Sequence, residues 1–227
     1  MMIIALDGPA GAGKSTVARE VAERLGLTFL DTGAMYRGVT LIVLQRGLDP
    51  LDEAACVDVA ETVELTFGDD GLIRIDGVPG EPDVRSATVT LTVSAVSAYR
   101  GVRDAVVARQ REIGAATKGL VVEGRDTTTV VFPEADHKFF LVASPMERAR
   151  RRASQENREH ELDMILRDIE RRDRLDTTRA HAPLRRAEDA RLIDTDGRGV
   201  EAVVAEIIQV VEGESTAGTR PSESDRK

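Results

Sequence analysis

An eight-residue stretch near the start of the chain constrains the fold more than any other feature. Residues 8–15 read Gly-Pro-Ala-Gly-Ala-Gly-Lys-Ser and fit the pattern G-x-x-x-x-G-K-[ST]. The apolar run 1–7 before it predicts a buried strand, and the apolar spacing over 14–26 after it predicts a helix. In such a strand–turn–helix unit, backbone N–H groups and the helix N-terminus converge on one anion. The stretch therefore predicts a phosphate-binding loop.

Two polar side chains at the end of this loop indicate which phosphates it holds. Lys14 can reach the β- and γ-phosphates of a nucleoside triphosphate, and the Ser15 hydroxyl can ligate Mg²⁺. The pattern thus predicts binding of a nucleoside triphosphate with Mg²⁺. By itself it does not separate a kinase from a GTPase or a motor protein.

The alternation of strands and helices predicts the fold class. Residues 27–33 predict a second strand and 34–47 a second helix, so the chain begins β-α-β-α. Further elements are expected as strands at 119–126, 137–144 and 190–197 and a last helix at 200–213. This order is typical of an α/β fold in three layers, with a parallel central sheet flanked by helices.

The middle of the chain departs from that alternation. Residues 63–82 place short alternating strands around Asp-Asp-Gly and Asp-Gly turns, which predicts a small antiparallel hairpin unit. The next stretch is rich in β-branched residues and becomes clearly helical only from about residue 101. We therefore expect one domain over 1–212, with its core at about 1–55 and 101–212 and a small inserted lobe at about 56–100.

A third segment, at about 144–180, combines helix signals with many arginines. Ser144, Pro145 and Glu147 form a capping box that predicts the start of one helix, and a second helix is expected over 161–173. We interpret the two helices as a mobile, arginine-bearing lid that closes over a bound nucleotide and excludes water.

Bulk properties exclude several classes of function. The net charge is −9 and the pI about 5.0, so general nucleic-acid binding is not expected. The single cysteine, Cys56, allows no internal disulfide, and its surroundings offer no zinc-site spacing. No leader or membrane-length apolar run is recognised, which predicts a cytoplasmic protein without a membrane partner. The polar residues 213–227 predict a disordered tail.

Charged residues follow two of the predicted strands at the edge where a parallel sheet binds its ligands. Arg37 comes shortly after the second strand, and Glu123, Arg125 and Asp126 come at the end of a later one. An arginine there can fork onto a second phosphate group, and Asp126 can accept hydrogen bonds from a base or sugar. Glu123 can help to hold Mg²⁺ through water. For Arg37 taken alone, a plain surface arginine is an equally good interpretation.

Arginines also cluster on the predicted lid helices. Arg148, Arg151 and Arg152 have the spacing of one helix face, as do Arg172, Asp176 and Arg179 if their helix persists. Such runs are usually solvated, and we keep that interpretation for Arg150, Arg158 and Arg167. In an acidic chain, however, this local excess of arginine indicates phosphate chemistry, because phosphoryl transfer depends on charge neutralisation and positioning.

Taken together, these strings resemble one family, the bacterial cytidylate kinases, which are P-loop nucleoside monophosphate kinases. The resemblance runs from Ile3 to about Ile208 and is carried by LDGPAGAGKST, FLDTGAMYR, EGRD with TVVFPEADHKFFL, SPMERARRR and RDRLDTTRAHAPLRRAEDARLIDT. It implies transfer of the γ-phosphoryl group of ATP to CMP or dCMP, an inserted acceptor-binding lobe, and a monomer.

The resemblance also implies roles for individual residues. The ATP site would comprise Gly8, Pro9, Ala10, Gly11, Ala12, Gly13, Lys14, Ser15 and Thr16. The CMP site would comprise Thr32, Arg37, Arg85, Arg103, Arg125, Asp126, Arg172, Asp176 and Arg179. The lid arginines would be Arg148, Arg151 and Arg152, and the catalytic cations Lys14, Arg125, Arg148 and Arg152. Only the resemblance supplies Arg85 and Arg103; most of the other side chains follow from the residues as well.

One departure from the family pattern affects the stretch after Asp126. The family usually continues Gly-Arg-Asp with an apolar residue and a glycine, whereas this chain has Thr127, Thr128 and Thr129. A β-branched residue in place of glycine puts the family's local geometry after Asp126 in question and could alter acceptor affinity, but we expect activity to survive.

Two alternative functions stay open from the sequence. The chain could be a kinase for another monophosphate, such as UMP, AMP or dTMP, because base recognition is not readable from spacing. It could instead be a nucleotide-dependent switch, although the chain contains no N-K-x-D string for guanine recognition.

Overall fold

A five-stranded parallel sheet with the strand order β2-β6-β1-β7-β8 forms the centre of the molecule. The structure is a computed structural model that describes residues 1–68 and 70–217. The strands are β1 Met2–Asp7, β2 Thr28–Asp31, β3 Leu65–Phe67, β4 Ile73–Ile75, β5 Val78–Pro79, β6 Gly119–Gly124, β7 His137–Val142 and β8 Arg191–Asp194. The predicted α/β class with a parallel central sheet is confirmed.

Helices cover both faces of this sheet. They are α1 Lys14–Leu25, α2 Thr32–Gln45, α3 Glu53–Thr62, α4 Ala87–Val96, α5 Arg100–Ala115, α6 Pro145–Gln155, α7 Leu162–Thr178 and α8 Val200–Ala217. One core packs α1 and α8 against side chains such as Leu6 and Phe139. The other packs α2, α3 and α5 against side chains such as Leu30 and Val122. Because alternate residues of a strand point to opposite faces, the strands are apolar on both sides, as a covered parallel sheet requires.

The middle segment forms a second, three-stranded antiparallel sheet with the order β3-β4-β5. The predicted hairpin unit is therefore present. Its side chains Leu65, Ile73 and Ile75 belong to the same buried cluster as Leu30 of the central sheet. The segment is thus built onto the main core and has no separate one, while its status as a functional lobe stays a prediction.

Helix α4 is one of the elements that the sequence analysis did not predict. Its residues read ATVTLTVSAV, and β-branched side chains lose rotamer freedom in a helix. Burial of Val93 and Val96 in the shared core, together with burial of Val89, outweighs that weak local preference. The helix matters because it forms one wall of the cleft described below.

Helices α6 and α7 form the predicted hairpin. The Ser144 hydroxyl accepts a hydrogen bond from the Glu147 amide at 3.3 Å, with Pro145 in the first turn, as the capping box predicted. Ala149, Ala153, Ile165 and Ile169 form a small buried cluster between the two helices.

The last helix, α8, continues to Ala217 rather than ending at Gly213. A single glycine inside a helix costs only about 1 kcal/mol relative to alanine, so the helix passes through it. The first residues of the predicted tail are therefore helical, and the remainder, 218–227, lies outside the described residues.

Candidate active site

Three neighbouring strands deliver the candidate residues to one edge of the sheet. In the register of β1 and β6, Asp7 lies opposite Gly124, and in that of β2 and β6, Asp31 lies opposite Glu123. The phosphate-binding loop, the start of α2 and the Gly-Arg-Asp stretch therefore meet at the carboxyl ends of the strands, where parallel sheets bind ligands.

The loop between β1 and α1 takes a conformation that depends on glycine. A Cβ atom at Gly8 would lie 2.1 Å from the Leu141 carbonyl oxygen, so the loop could not approach β7 with any side chain there. Gly13 caps α1 with a φ of 87°, in the left-handed region. Helix α1 follows immediately, which directs its N-terminal N–H groups toward the loop.

Lys14 and Ser15 open α1 and contact the same carboxylate. The Ser15 hydroxyl donates to Glu123 Oε1 at 2.6 Å, and Lys14 Nζ lies 4.0 Å from Glu123 Oε2 and donates to the Pro9 carbonyl at 2.9 Å. Burial and the nearby Arg125 lower the pKa of Lys14 to about 7. Burial and Asp31 raise the pKa of Glu123. The charged forms of both groups are thus destabilised. A bound cation would stabilise the Glu123 carboxylate, and a bound polyanion would stabilise the Lys14 ammonium group.

A cavity of about 290 Å³ opens beside this loop. It is lined by predicted donor-side residues and by every predicted acceptor residue, namely Ala10, Gly11, Lys14, Ser15, Glu123, Thr32, Arg37, Arg85, Arg103, Arg125, Asp126, Arg172, Asp176 and Arg179, together with Arg152. Its lining carries eight cationic side chains and five carboxylates, an excess of three positive charges in a chain whose net charge is −9. The cavity is therefore suited to an anion.

Two arginines that line the cavity make no hydrogen bond to a carboxylate of the described residues. Arg37 donates to the Thr90 hydroxyl at 2.8 Å and to the Val84 carbonyl at 3.2 Å. The Nε atom of Arg172 is buried without a hydrogen-bond partner and lies 4.0 Å from Asp176. Burial, followed by neighbouring guanidinium groups, lowers the pKa of Arg37 to about 10 and that of Arg172 to about 9. Both remain cationic at neutral pH, so this pair is the strongest candidate for a phosphate group.

Asp126 lies at the far end of the cavity between two arginines. Arg103 donates to one carboxylate oxygen and Arg179 to the other, the latter at 3.4 Å. Arg103 also stacks 5.3 Å above the ring centroid of Tyr36, whose buried hydroxyl has no hydrogen-bond partner. This end offers donors and acceptors together, as recognition of a base or sugar requires.

A second ion pair connects the central sheet with the α6–α7 hairpin. Arg125 Nε donates to Asp176 Oδ2 at 2.9 Å across 51 residues of sequence. Although burial acts to raise the pKa of Asp176, Arg125 and Arg172 lower it below its ordinary value. The position of α7 is therefore tied electrostatically to the Gly-Arg-Asp stretch.

The structure separates the three predicted lid arginines. Only Arg152 lines the cavity, where its Nε donates to Glu156 at 2.9 Å. Arg148 is buried beneath the phosphate-binding loop and donates to the Ala10 carbonyl at 2.9 Å. Arg151 donates to the Thr195 hydroxyl at 3.0 Å. The roles predicted for Arg148 and Arg151 over a transferring phosphate stay predictions, since here both brace the donor loop and its surroundings.

The backbone after Asp126, where this chain has Thr128 in place of the family's glycine, has a conformation that threonine can adopt. Thr128 is not among the described residues with positive φ, so its backbone does not require glycine. Instead, residues 127–131 form a single π-helical turn whose first two hydroxyls bond to the buried carboxylate of Asp7. A β-branched residue is therefore accommodated by hydrogen bonding.

Sequence reasoning missed several residues of this region. Asp31 accepts from Arg85 at 3.0 Å, Asp173 pairs with Arg148 at 2.7 Å, and Tyr36 lines the cavity. Asp31 follows a strand and precedes a helix, a position that could have marked it as an N-cap, and its side chain does accept from Ala34 N at 2.9 Å. Nothing in the spacing indicates the pairing of Asp173.

The Ser15 hydroxyl at the start of α1 and the Glu123 carboxylate at the end of β6 fit a hard divalent cation. Mg²⁺ prefers one or two protein oxygens completed by water and phosphate oxygens, and Ser15 and Glu123 supply a hydroxyl and a carboxylate within 2.6 Å of each other. Over the described ranges, no cluster of three or more His, Cys, Asp or Glu residues forms a self-sufficient metal cage. The donor set therefore fits a metal that arrives with a nucleotide. Over the same ranges, no helix is both long and apolar enough to cross a bilayer.

Comparison with known proteins assigns a family to this arrangement. The family description that matches residues 4–213 is cytidylate kinase. A cytidylate kinase of Nocardia farcinica is 46% identical over 96% of this chain and 97% of its own length. One from Desulforamulus reducens is 46% identical over 92% of this chain and 96% of its own length. Among solved structures, protein TT1252 of Thermus thermophilus covers 94% of this chain and 97% of its own with a TM-score of 0.50 at 17% identity, which supports the fold alone.

Proposed function

Because the chain belongs to the cytidylate kinase family, we propose that it transfers the γ-phosphoryl group of ATP to CMP or dCMP, producing ADP and CDP or dCDP. It is a kinase. The resemblance inferred from the sequence strings is thereby confirmed. The roles of single residues, the metal and the oligomeric state remain parts of the proposal.

The observation that carries the reaction is the continuity of the cavity. Lys14 and Ser15 of the phosphate-binding loop line the same space as Arg37 and Arg172. A donor phosphate chain on the loop and an acceptor phosphate on the two arginines would therefore face one another without intervening protein. Phosphoryl transfer needs this in-line arrangement more than it needs a general base, because the acceptor oxygen is already anionic.

Charge neutralisation during transfer comes from side chains of three segments. Lys14 approaches from the loop, Arg125 from the end of β6 and Arg152 from α6. Ser15, and Glu123 through water, would hold Mg²⁺, which would supply charge neutralisation to the donor phosphates. Approach of α6 and α7 to the sheet would exclude water from the cavity. Exclusion of water would limit hydrolysis of ATP.

Selection of cytosine follows from the end of the cavity that contains Asp126. Cytosine differs from uracil in presenting an amino donor, and carboxylates such as Asp126 and Asp176 can accept from it. A base lacking that donor forgoes a hydrogen bond to a charged group, which is worth about 1.5–3 kcal/mol. We therefore assign the phosphate to Arg37 and Arg172 and the nucleoside to the side of Arg103, Asp126 and Arg179.

The deciding experiment is a coupled assay of ADP release with Mg·ATP and a panel of acceptors. CMP, dCMP, UMP, AMP, GMP and dTMP are supplied separately, with an acceptor-free reaction as the control for ATP hydrolysis. Rapid turnover with CMP and dCMP and little with the others is expected. Preference for another monophosphate would refute the base assignment. Absence of turnover above the acceptor-free control with every monophosphate would refute the kinase assignment.

A further inference from the structure

The carboxylate of Asp7 is entirely buried and accepts four hydrogen bonds from two consecutive threonines. Asp7 Oδ1 accepts from the Thr127 amide at 2.9 Å and from the Thr127 hydroxyl at 2.8 Å. Asp7 Oδ2 accepts from the Thr128 amide at 2.7 Å and from the Thr128 hydroxyl at 2.7 Å. All three residues are at most 1% exposed. Both carboxylate oxygens thus have hydrogen-bond partners despite their complete burial.

This contact connects the donor side of the cavity, at the phosphate-binding loop, with the acceptor side, at Arg125 and Asp126. Asp7 is the last residue of β1 and directly precedes Gly8 of the phosphate-binding loop. Thr127 and Thr128 directly follow Arg125 and Asp126. The four hydrogen bonds therefore act together with the backbone pairing of β1 and β6, in which Asp7 lies opposite Gly124, to position two cavity-lining side chains relative to the donor loop.

The turn after Asp126 is a single π-helical turn with four backbone hydrogen bonds of its own. The Asp126 carbonyl accepts from the amides of residues 129–131 at 2.9–3.3 Å, and the Thr127 carbonyl accepts from the Phe132 amide at 2.8 Å. Arg111 holds its far end by donating to the Val131 carbonyl at 3.0 Å and to the Val130 carbonyl at 2.8 Å. At the near end, the side chains of Arg125 and Asp126 have ion-pair partners of their own, and Asp7 holds the backbone that directly follows them.

We propose that the hydroxyls of Thr127 and Thr128 are positioning groups for the acceptor site, acting through Asp7 to fix Arg125 and Asp126 relative to the phosphate-binding loop. Neither threonine lines the cavity. This inference rests on the proposed function, because it assumes that Arg125 and Asp126 bind the acceptor.

The neighbouring residue provides a matched control. Thr129 belongs to the same turn, and its hydroxyl oxygen is buried without a hydrogen-bond partner. Replacing threonine by valine removes a hydroxyl at nearly constant volume. The pair Thr128→Val and Thr129→Val therefore isolates the bond to Asp7 from the general effect of substituting this turn.

The experiment measures KM for CMP, KM for ATP and kcat in the wild type and in Thr127→Val, Thr128→Val, Thr128→Ser and Thr129→Val. For Thr128→Val we expect KM for CMP to rise about 10-fold while KM for ATP changes less than about 2-fold. Thr128→Ser, which keeps the hydroxyl, should stay near wild type, as should Thr129→Val. Thr127→Val should resemble Thr128→Val and replaces it if that variant does not fold.

Three results would overturn the inference. These are an unchanged KM for CMP in a folded hydroxyl-free variant, an equal rise in the two KM values, and an equal effect of Thr129→Val. The acceptor that the wild type uses fastest serves as substrate throughout, so a different base preference would refute the proposed specificity without affecting this comparison.

Discussion

Replacing Arg37 by alanine should separate acceptor binding from donor binding. No carboxylate among the described residues lies within ion-pair distance of Arg37, which contacts only the Thr90 hydroxyl and the Val84 carbonyl. Its charge is therefore available to a ligand. Loss of a hydrogen-bonded charge contact costs about 1.5–3 kcal/mol, which corresponds to a loss of about 10- to 150-fold in kcat/KM for CMP.

The same substitution should barely affect stability. Two hydrogen bonds to neutral groups are lost, at about 1 kcal/mol each, but the repulsion exerted by Arg85 and Arg125 on the buried Arg37 is relieved. These effects oppose each other, so the free energy of unfolding should change by less than about 2 kcal/mol. Urea unfolding followed by circular dichroism measures this directly.

The assay compares Arg37→Ala with Arg46→Ala, an exposed arginine at the end of the same helix. Steady-state kinetics are recorded against CMP at saturating ATP and against ATP at saturating CMP. Arg46→Ala should behave as wild type, and KM for ATP should stay within about 3-fold in both variants. An equal loss of affinity for ATP in Arg37→Ala would refute the assignment of Arg37 to the acceptor phosphate.

Three further predictions concern the donor loop and the nucleoside end. Glu123→Gln should raise the Mg²⁺ concentration for half-maximal rate by about 10-fold, since it removes the charge beside Ser15; an unchanged Mg²⁺ titration would contradict this role. Because the pKa of Lys14 is about 7 and bound phosphates favour its ammonium form, ATP binding should take up about one proton at pH 8 and almost none at pH 6. Calorimetry in buffers of different ionisation enthalpy measures that uptake, and equal values at the two pH values would contradict it. Asp126→Ala should destabilise the fold by about 3–5 kcal/mol, because it leaves the buried Arg103 without its carboxylate; a thermal midpoint equal to that of wild type would show that the pair is dispensable.

The sequence predicted the strand, loop and helix of the donor region because their signals are local. A strand, a glycine turn and a helix start lie within about 20 residues, and each has a separate physical cause. Arg37 and Arg125 were located by the same logic, since both follow strands of a parallel sheet. The family strings extended the prediction to Arg85 and Arg103, which have no local signal.

The remaining features depend on register and packing, which no local pattern encodes. Opposing positions of β1 and β6 bring Asp7 to Gly124, and therefore to the threonines that follow Asp126. Helix α4 forms against its local propensity because of tertiary burial. The inward position of Arg148 depends on its ion pair with Asp173, which is 25 positions later in the sequence.

The shared core beneath the inserted segment limits how this enzyme could be re-engineered. Leu65 and Ile73 of the small sheet pack in one cluster with Leu30 and Val122 of the large one. A segment whose side chains complete the core of the main domain cannot be exchanged between kinases as an independent unit. The grafted segment would have to pack against core side chains of a different protein. New acceptor preferences would therefore arise more readily by point changes around the cleft than by recombination at the boundaries of the insert.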